Sequence, residues 1–287
     1  MKTKLLVLVD GSSYLFRAYH ALPELTNSEG HQTGAIHGVI TMLRRLLRRF
    51  DPDYFGVVFD PPGKTLRSNW YPQYKANRPP MPSELAVQIK PLHQIIRAFG
   101  YPLIQIPEIE ADDVLGTLAE KAVGQGAKVV ISTGDKDLAQ LVTGEITLIN
   151  TMDDSILDVS GVREKFGVNP EKIVDYLSLI GDKVDNIPGV PKVGPKTAVK
   201  WLAEYGTLDN ILRQAPNIKG KVGENLREFL PKMELTRRLV TILKDIDTGL
   251  GLPDLCFRDQ NAGTLKSLLE IYEFNTLLRE LGEEKNL

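Results

Sequence analysis

Along the first half of the chain, short aliphatic runs alternate with longer amphipathic stretches; the second half is amphipathic almost throughout. Lys4–Val9 reads KLLVLV, a brief continuous run of the kind a strand buried on both faces requires. Tyr54–Phe59, Tyr101–Ile106, Lys128–Ser132 and Glu145–Asn150 repeat that pattern. Between them, apolar positions recur at helical spacing. Thr33–Phe50 carries Val39, Met42, Leu43, Leu46, Leu47 and Phe50 on one side, and Ser83–Phe99 and Asp112–Val123 follow, with a short helix near Lys136–Val142. Strands alternating with helices predict an α/β fold with a mostly parallel sheet flanked by helices. Pro61 to Pro82 breaks the pattern, being rich in Pro, Arg, Lys and aromatic residues without periodicity. Past about residue 170 the strand signals stop. Helices are expected over Glu171–Ile180, Lys196–Tyr205, Leu208–Gln214, Lys221–Lys244 and Ala262–Leu281. The expected organisation is an α/β core over 1–175 and a helical C-terminal region over 176–287.

Composition narrows the classes. With 287 residues and 42% hydrophobic content, the chain can bury a large core. Its longest aliphatic run, Leu5 to Val9, is far short of the roughly 20 residues a membrane span needs. The beginning of the chain lacks the features of a secretory signal, so a cytoplasmic protein without a membrane partner is expected. The polar end GEEKNL fits either a natural terminus or the start of a linker. A single cysteine, Cys256, excludes an internal disulfide and a cysteine-based zinc site. The net charge of −2, from 35 basic and 37 acidic residues, argues weakly against nucleic acid, but distribution matters more than the sum.

The acids have a positional pattern. The first strand ends in Asp10 and the second is followed by Asp60. The third is followed by Glu110, Asp112 and Asp113, and the fourth by Asp135 and Asp137. Asp182 and Asp185 come later, in GDKVDNIPG after a helix. Open parallel sheets bind ligands outside the carboxyl ends of their strands, so these acids are expected along one edge. Singly, each has an ordinary explanation as a helix cap, a turn residue or a complement to a helix dipole. Together they would repel one another unless cations were present. An all-oxygen ligand set suits Mg²⁺ or Mn²⁺, and the number of acids suggests two or more ions, the arrangement that serves phosphoryl displacement. His20, His31, His37 and His93 form no zinc-type spacing. Other chemistries lack their motifs. Gly63–Thr65 resembles the end of a phosphate-binding loop, but Val58 stands where its first glycine is needed. Gly11, Ser12 and Ser13 follow Asp10 without the second Asp of an aspartyl-phosphate phosphatase. No G-x-S-x-G elbow and no G-x-G-x-x-G after a strand occur.

Three stretches could face nucleic acid. Arg67–Pro82 interleaves basic and aromatic residues, which suit phosphates and base faces respectively. Arg44, Arg45, Arg48 and Arg49 lie opposite an apolar stripe and read first as a solvated helix face. Ile187–Leu202 (IPGVPKVGPKTAVKWL) resembles a helix-hairpin-helix. There Gly189 and Gly194 permit a tight turn and close phosphate approach, Lys192 and Lys196 add charge, and the N–H groups at the next helix start, around Thr197, face a phosphate.

Taken as a set, VDGSSYLFRAYHA (Val9–Ala21), VVFD, YKANRPPMP (Tyr74–Pro82), EADDVLGTLA (Glu110–Ala119), ISTGDKDLAQLV (Ile131–Val142) and GDKVDNIPGVPKVGPKTA (Gly181–Ala198) resemble the 5′-nuclease (5′–3′ exonuclease) domain of bacterial DNA polymerase I, within the flap endonuclease superfamily. The resemblance runs from about residue 4 to the C-terminus. It implies a PIN/resolvase-like nuclease core with a helical arch near 63–100, and a helical region with a helix-hairpin-helix (H2TH) motif. It implies metal ligation by Asp10, Asp60, Glu110, Asp112, Asp113, Asp135, Asp137, Asp182 and Asp185. Asp10, Asp60, Asp112, Asp135 and Asp137 then act in catalysis with Lys75 and Arg78. Arg17, Lys75 and Arg78 lie near the scissile phosphate, and Tyr74 packs against a base or the strand. With them, Gly189, Lys192, Gly194, Lys196 and Thr197 complete the DNA-binding set. The implied reaction is two-metal-ion hydrolysis of a phosphodiester, leaving a 5′-phosphate, by 5′–3′ exonuclease and 5′-flap endonuclease cutting. Implied substrates are 5′-flap or branched duplex DNA and RNA–DNA primer junctions in replication and repair, with Mg²⁺ or Mn²⁺ and a K⁺ at the hairpin turn. A polymerase module in cis or in trans is the implied partner. One departure stands out: Val184 occupies a position where relatives commonly carry Ser, which puts the surroundings of the late acids in question. Two rival readings are a non-catalytic branched-DNA binder, disfavoured by the intact acid set, and a metal ribonuclease on single-stranded RNA, disfavoured by the hairpin turn and the late Asp pair.

Overall fold

The computed structural model describes residues 3–22, 25–150 and 155–284; residues 285–287 of the polar C-terminal stretch lie outside it. Strand β1 (Leu5–Asp10) is its organising element. Side chains alternate along a strand, so Leu6 and Leu8 enter one core while Val7 and Val9 enter the other. That explains why KLLVLV is apolar at every position after its lysine. The chain continues through α1 (Gly11–Ala21), α2 (Gly34–Phe50), β2 (Tyr54–Val58), α3 (Leu66–Trp70), α4 (Ser83–Ala98), β3 (Leu103–Ile104) and α5 (Ala111–Gly124). Then come β4 (Lys128–Ser132), a 3₁₀ turn (Asp137–Leu141), β5 (Ile146–Asn150), β6 (Ser155–Leu157) and α6 (Val159–Phe166). The sheet runs β3-β2-β1-β4-β5-β6, parallel except for the antiparallel β5–β6 pair at one edge. The strand order reverses at β1, with β2 on one side and β4 on the other. This is the crevice where a doubly wound sheet binds ligand.

The helical half comprises α7 (Ile173–Ile180), α8 (Pro195–Tyr205), α9 (Leu208–Gln214), α10 (Gly220–Val240), α11 (Ala262–Ile271) and α12 (Asn275–Glu284). Helices α7 to α10 join α5 on one face of the sheet, through Leu177, Trp201, Ile211, Leu226 and Phe229. After α10 the chain crosses to the other face. Phe257 stacks on Phe55 of β2 with centroids 5.7 Å apart. Leu265, Leu269, Phe274 and Leu277 then pack with α2 and α4. The helical region expected over 176–287 thus contributes to both cores. Among the described residues no helix is long and apolar enough to cross a membrane.

Several elements differ from expectation. Gly11–Ala21 is a helix, started by Asp10 as N-cap, whose side chain accepts from Ser13 N. The apolar spacing of Tyr14, Leu15 and Ala18 is its inward face. The expected strand Tyr101–Ile106 forms only two ladder residues, because it pairs with β2 alone. The helix near Lys136–Val142 is a 3₁₀ turn, and β6 is an element that the pattern does not announce. Ala262–Leu281 is two helices, broken where Glu273 takes a left-handed φ of 57°. Over 63–100, where an arch is implied, α3 and a run of turns lead into α4. Its Leu85, Leu92, Ile95 and Ile96 are buried, so one side of this helix rests on the core.

Candidate active site

Asp10 and Thr133 lie at the carboxyl ends of adjacent strands and lock together. Asp10 Oδ1 accepts from Ser13 N (2.9 Å) and Oδ2 from the Thr133 hydroxyl (2.8 Å), which itself accepts from Asp135 N (2.9 Å). Asp135 in turn accepts from Asp137 N (2.8 Å). A chain of short local bonds therefore arrays three acids across the β1/β4 crevice. Asp60 joins from β2: its N–H donates to Ser12 Oγ, and its carboxylate accepts from Ala111 N at the start of α5 (2.9 Å). That contact sets the first turn of α5, which presents Asp112.

The electrostatics divide these acids into two groups that share Asp135. Asp112 is pushed well above the usual carboxylate range, first by burial and then by the charges of Asp135, Asp10 and Asp60. Asp10 is raised to about 7, again chiefly by burial, with Asp60 and Asp135 adding repulsion against the hydrogen bonds from Ser13 and Thr133. Asp137 is raised to about 8 by burial, then by Asp135, Asp182 and Asp185. Asp135 is raised by burial and feels both Asp185 and Asp182. An open cavity of about 240 Å³ is lined by Asp135, Asp137, Asp182 and Asp185.

Basic side chains hold part of this charge. Lys136 Nζ lies 2.7 Å from Asp182. Arg78 pairs with Asp185, and Lys75 Nζ lies 2.5 Å from Glu110 and 3.7 Å from Asp185. Among the described residues no three His, Cys, Asp or Glu side chains close on one point as a ready-made metal cage. Glu110, Asp182 and Asp185 are instead turned onto these cations. The donor set still fits a hard divalent ion. It is all oxygen, its burial opposes negative charge, and Asp137 Oδ1 is buried without a hydrogen-bond partner among the described residues.

Two expected residues take other places. Asp113 does not face the cluster: both its oxygens are occupied by Arg67 (2.5 and 2.8 Å), and Oδ1 also accepts from Leu243 N. On a helix, neighbours one position apart point about 100° apart, so Asp112 and Asp113 cannot both face the crevice. Tyr74 is only 7% exposed and presents no face to a strand. Its hydroxyl lies 3.1 Å from Glu110 and 3.2 Å from Asp185, and Lys75 N donates to Asp185 O. With Asn77 donating to Lys183 O and Asn186 to Gln73 O, the 73–78 turn is stitched to the 182–186 loop. Val184 borders the acid-lined cavity but joins the loop through its backbone. Its N–H donates to Asp182 Oδ1 (2.6 Å), a bond that needs only a backbone amide, and its side chain is 62% exposed. Arg17, on α1, lies 5.8 Å from the Tyr14 ring centroid.

In the hairpin, the two glycines differ. A Cβ on Gly189 would stand 2.2 Å from the carbonyl carbon of Ile180, so the chain crossing here needs a glycine. Gly194 has open space around it and precedes Pro195 at the first position of α8. Pro has no N–H, which leaves Lys196 and Thr197 to supply donors at that helix start. Lys192 and Lys196 are exposed.

A larger cavity, about 750 Å³, opens beside Asp60 between α1 and α4. Leu15, Phe16, Phe59, Met81 and Ile89 give it apolar walls, and Lys90 and Arg97 border it. Sequence reasoning misses two residues of the acid edge. Thr133, between two acids, has only its place after a strand as a signal. Arg67 reads as part of a basic surface stretch, yet it is 4% exposed.

Two family models match consecutive stretches of the chain: "5′-3′ exonuclease, N-terminal resolvase-like domain" over residues 5–167 and "5′-3′ exonuclease, C-terminal SAM fold" over 168–263. The chain belongs to the 5′–3′ exonuclease family. Within this family, a 5′-3′ exonuclease of Aquifex aeolicus is 43% identical, covering 98% of this chain and 96% of its own length. DNA polymerase I of Pseudomonas aeruginosa is 48% identical over 97% of this chain, which spans 31% of that longer protein. Among solved structures, T5 5′-exonuclease with bound zinc superposes with a TM-score of 0.74 at 21% identity, covering 94% of this chain and all of the other. The catalytic core of Rad2 in complex with DNA gives 0.62 at 16% identity, covering 94% and 88%. These two likenesses concern the fold. It is the expected α/β, resolvase-like core with a helical C-terminal region.

Proposed function

We propose that this 5′–3′ exonuclease-family chain cuts DNA at the junction between a 5′ single strand and a duplex. The carrying observation is the acid set at the β1/β4 crevice, in two electrostatic groups joined by Asp135. Asp10, Asp60, Asp112 and Asp135 would hold one Mg²⁺ or Mn²⁺ ion, and Asp135, Asp137, Asp182 and Asp185 a second, with Glu110 beside them. Such ions polarise the phosphodiester, make water reactive at neutral pH and neutralise the leaving oxygen.

The chain's own residues do the rest. Lys75 and Arg78 sit on Glu110 and Asp185, within reach of the same crevice, and are the donors proposed for the scissile phosphate. Arg17 is proposed to assist them. The exposed Lys192 and Lys196, with the N–H groups of Lys196 and Thr197 beyond Gly194, are proposed to grip a duplex phosphate without reading sequence, and a K⁺ held by turn carbonyls is proposed there. The unpaired 5′ strand is proposed to follow the apolar cavity between α1 and α4, where Phe16 and Met81 offer faces to bases and Lys90 and Arg97 offer charge. The domain division proposed is a nuclease core to about residue 175 followed by the helical region. Flaps, branched duplexes and RNA–DNA primer junctions are the proposed substrates, in the cytoplasm and on nucleoid DNA, with a polymerase module as partner.

The test is incision of a labelled 5′-flap duplex with Mg²⁺, beside EDTA and the Asp135→Asn protein. Metal-dependent cutting near the junction, lost in the variant, is expected. Tight binding without incision in Mg²⁺ or Mn²⁺ would instead make the chain a branched-DNA binder.

A further inference from the structure

Arg67 is a buried guanidinium, and every one of its N–H groups finds an acceptor. Nε donates to Leu239 O (2.9 Å). One terminal nitrogen donates to Glu110 (2.8 Å) and Asp113 (2.5 Å), the other to Asp113 (2.8 Å) and Thr241 O (2.7 Å). The side chain therefore joins three segments: the start of α5, which carries Glu110 and Asp112, the C-terminal end of α10, and α3 itself. Three residues along, Trp70 lies under Arg238 of α10, with the guanidinium carbon 3.8 Å from the ring centroid. Helix α3 is thus fixed to α10 twice, once in the interior and once near the surface. Helix α10 in turn packs on α7, which leads into the hairpin, and Thr236 of α10 donates to Pro188 O inside it.

We propose that Arg67 is a positioning residue that couples the helical half to the acid edge, holding Glu110 and the first turn of α5 in register with α10 and the hairpin. The proposal rests on the nuclease reading above. The carboxylate of Glu110 is caught between Arg67 on one oxygen and Lys75 on the other, with Tyr74 within reach of both. Without Arg67 it is free to follow Lys75 alone. Buried charge also needs the guanidinium: Glu110 and Asp113 are two interior carboxylates, and Arg67 with Lys75 supplies the two opposing charges. Lysine keeps the charge but has three donors on one atom, and it cannot reach acceptors on both sides of a planar fork. Arg67→Lys therefore removes the link to α10 while leaving the charge count intact.

The experiment compares Arg67→Lys with the wild type and with Met233→Ala, a core truncation in α10 away from the site that serves as a control for lost stability. Three quantities are read on each folded protein: duplex-flap affinity in Ca²⁺, single-turnover cutting in Mg²⁺, and the Mn²⁺ concentration at half of the metal-induced rise in Tm without DNA. Expected for Arg67→Lys are affinity within about threefold, cutting slower by tenfold or more, and a half-rise concentration several-fold higher, while Met233→Ala changes only Tm. Equal cutting and equal Mn²⁺ response in Arg67→Lys, with only Tm lowered, would overturn the coupling and leave Arg67 a structural residue. Should Arg67→Lys fail to fold, Arg238→Gln loosens the outer clamp alone. A smaller loss of cutting with unchanged affinity supports the proposal, and wild-type behaviour refutes it. A wild type that binds Mn²⁺ yet cuts nothing would count against the nuclease reading, and the Mn²⁺ shift would still test Arg67.

Discussion

At the scale of single residues, the acids of this crevice are not equivalent, and the hydrogen bonds say which substitutions matter. Asp135 receives Asp137 N and is felt by acids of both groups, so it sits where two ions would share a ligand. Asp135→Asn and Asp137→Asn should lower single-turnover cutting by at least about a hundredfold, the scale of removing one preorganised electrostatic group, with flap affinity in Ca²⁺ unchanged within an order of magnitude. Full activity in either would remove it from the site. Val184 is the opposite case. Because its backbone makes the bond to Asp182 and its side chain faces solvent, Val184→Ser should change stability by less than about 0.5 kcal/mol and leave the Mg²⁺ requirement of cutting as it was. A marked shift in that requirement would mean that the side chain, not the amide, shapes the loop. Asp113 shows how a motif can mislead residue by residue: EADD places three acids together, yet helical geometry turns the last one inward to Arg67.

At the scale of elements, the hairpin tests whether its glycines serve the fold or the ligand. Gly189→Ala places a Cβ against the end of α7, where the obstacle is backbone and cannot step aside. Overpacking of this kind costs roughly 1–3 kcal/mol, so a lowered Tm with weakened flap binding is expected. Gly194→Ala meets nothing and has an ordinary φ of −111°, but it exchanges the N-cap of α8 for a poorer one, so a loss of about 1 kcal/mol or less is expected. Thermal melts of the two variants check this, and an equal loss in both would contradict the distinction. The same contrast marks what a sequence can tell. The buried strands are legible, because a strand inside a parallel sheet must be apolar at every position, and so are the acids at their ends. Helix α1 is not, since its opening GSS looks like a turn until Asp10 is seen to cap it. The destination of α11 is hidden as well: Leu265 and Leu269 look like any amphipathic face, and only the fold shows that they return to pack with α4. Arg67 escapes notice for a related reason. Whether an arginine is surface charge or interior hub depends on long-range packing that local pattern does not carry.

At the scale of the whole molecule, the acids make stability depend on pH and metal together. Asp10 and Asp137 hold their protons in the folded state up to about 7 and about 8, against an ordinary value of 3.8. Between those limits the folded chain binds more protons than the unfolded one, so stability falls as pH rises. Asp112 and Asp135 are displaced in the same direction and add to the slope. In EDTA, Tm is therefore expected to decline from about pH 5 to about pH 8 through these groups. On the proposed reading a divalent ion would bind the deprotonated carboxylates of the folded state and not the dispersed acids of the unfolded chain, so its stabilisation should grow with its concentration and with pH. Mg²⁺ or Mn²⁺ at millimolar levels should accordingly flatten or reverse the decline, with the largest gain in Tm near the upper end of that range. The paired substitution Asp10→Asn with Asp137→Asn removes one strongly raised acid from each electrostatic group. It should raise Tm in EDTA at about pH 8 while abolishing most of the metal response. A metal-free protein equally stable at both ends of the range, or a metal response surviving in the double variant, would show that the crevice does not carry its charge as the geometry requires.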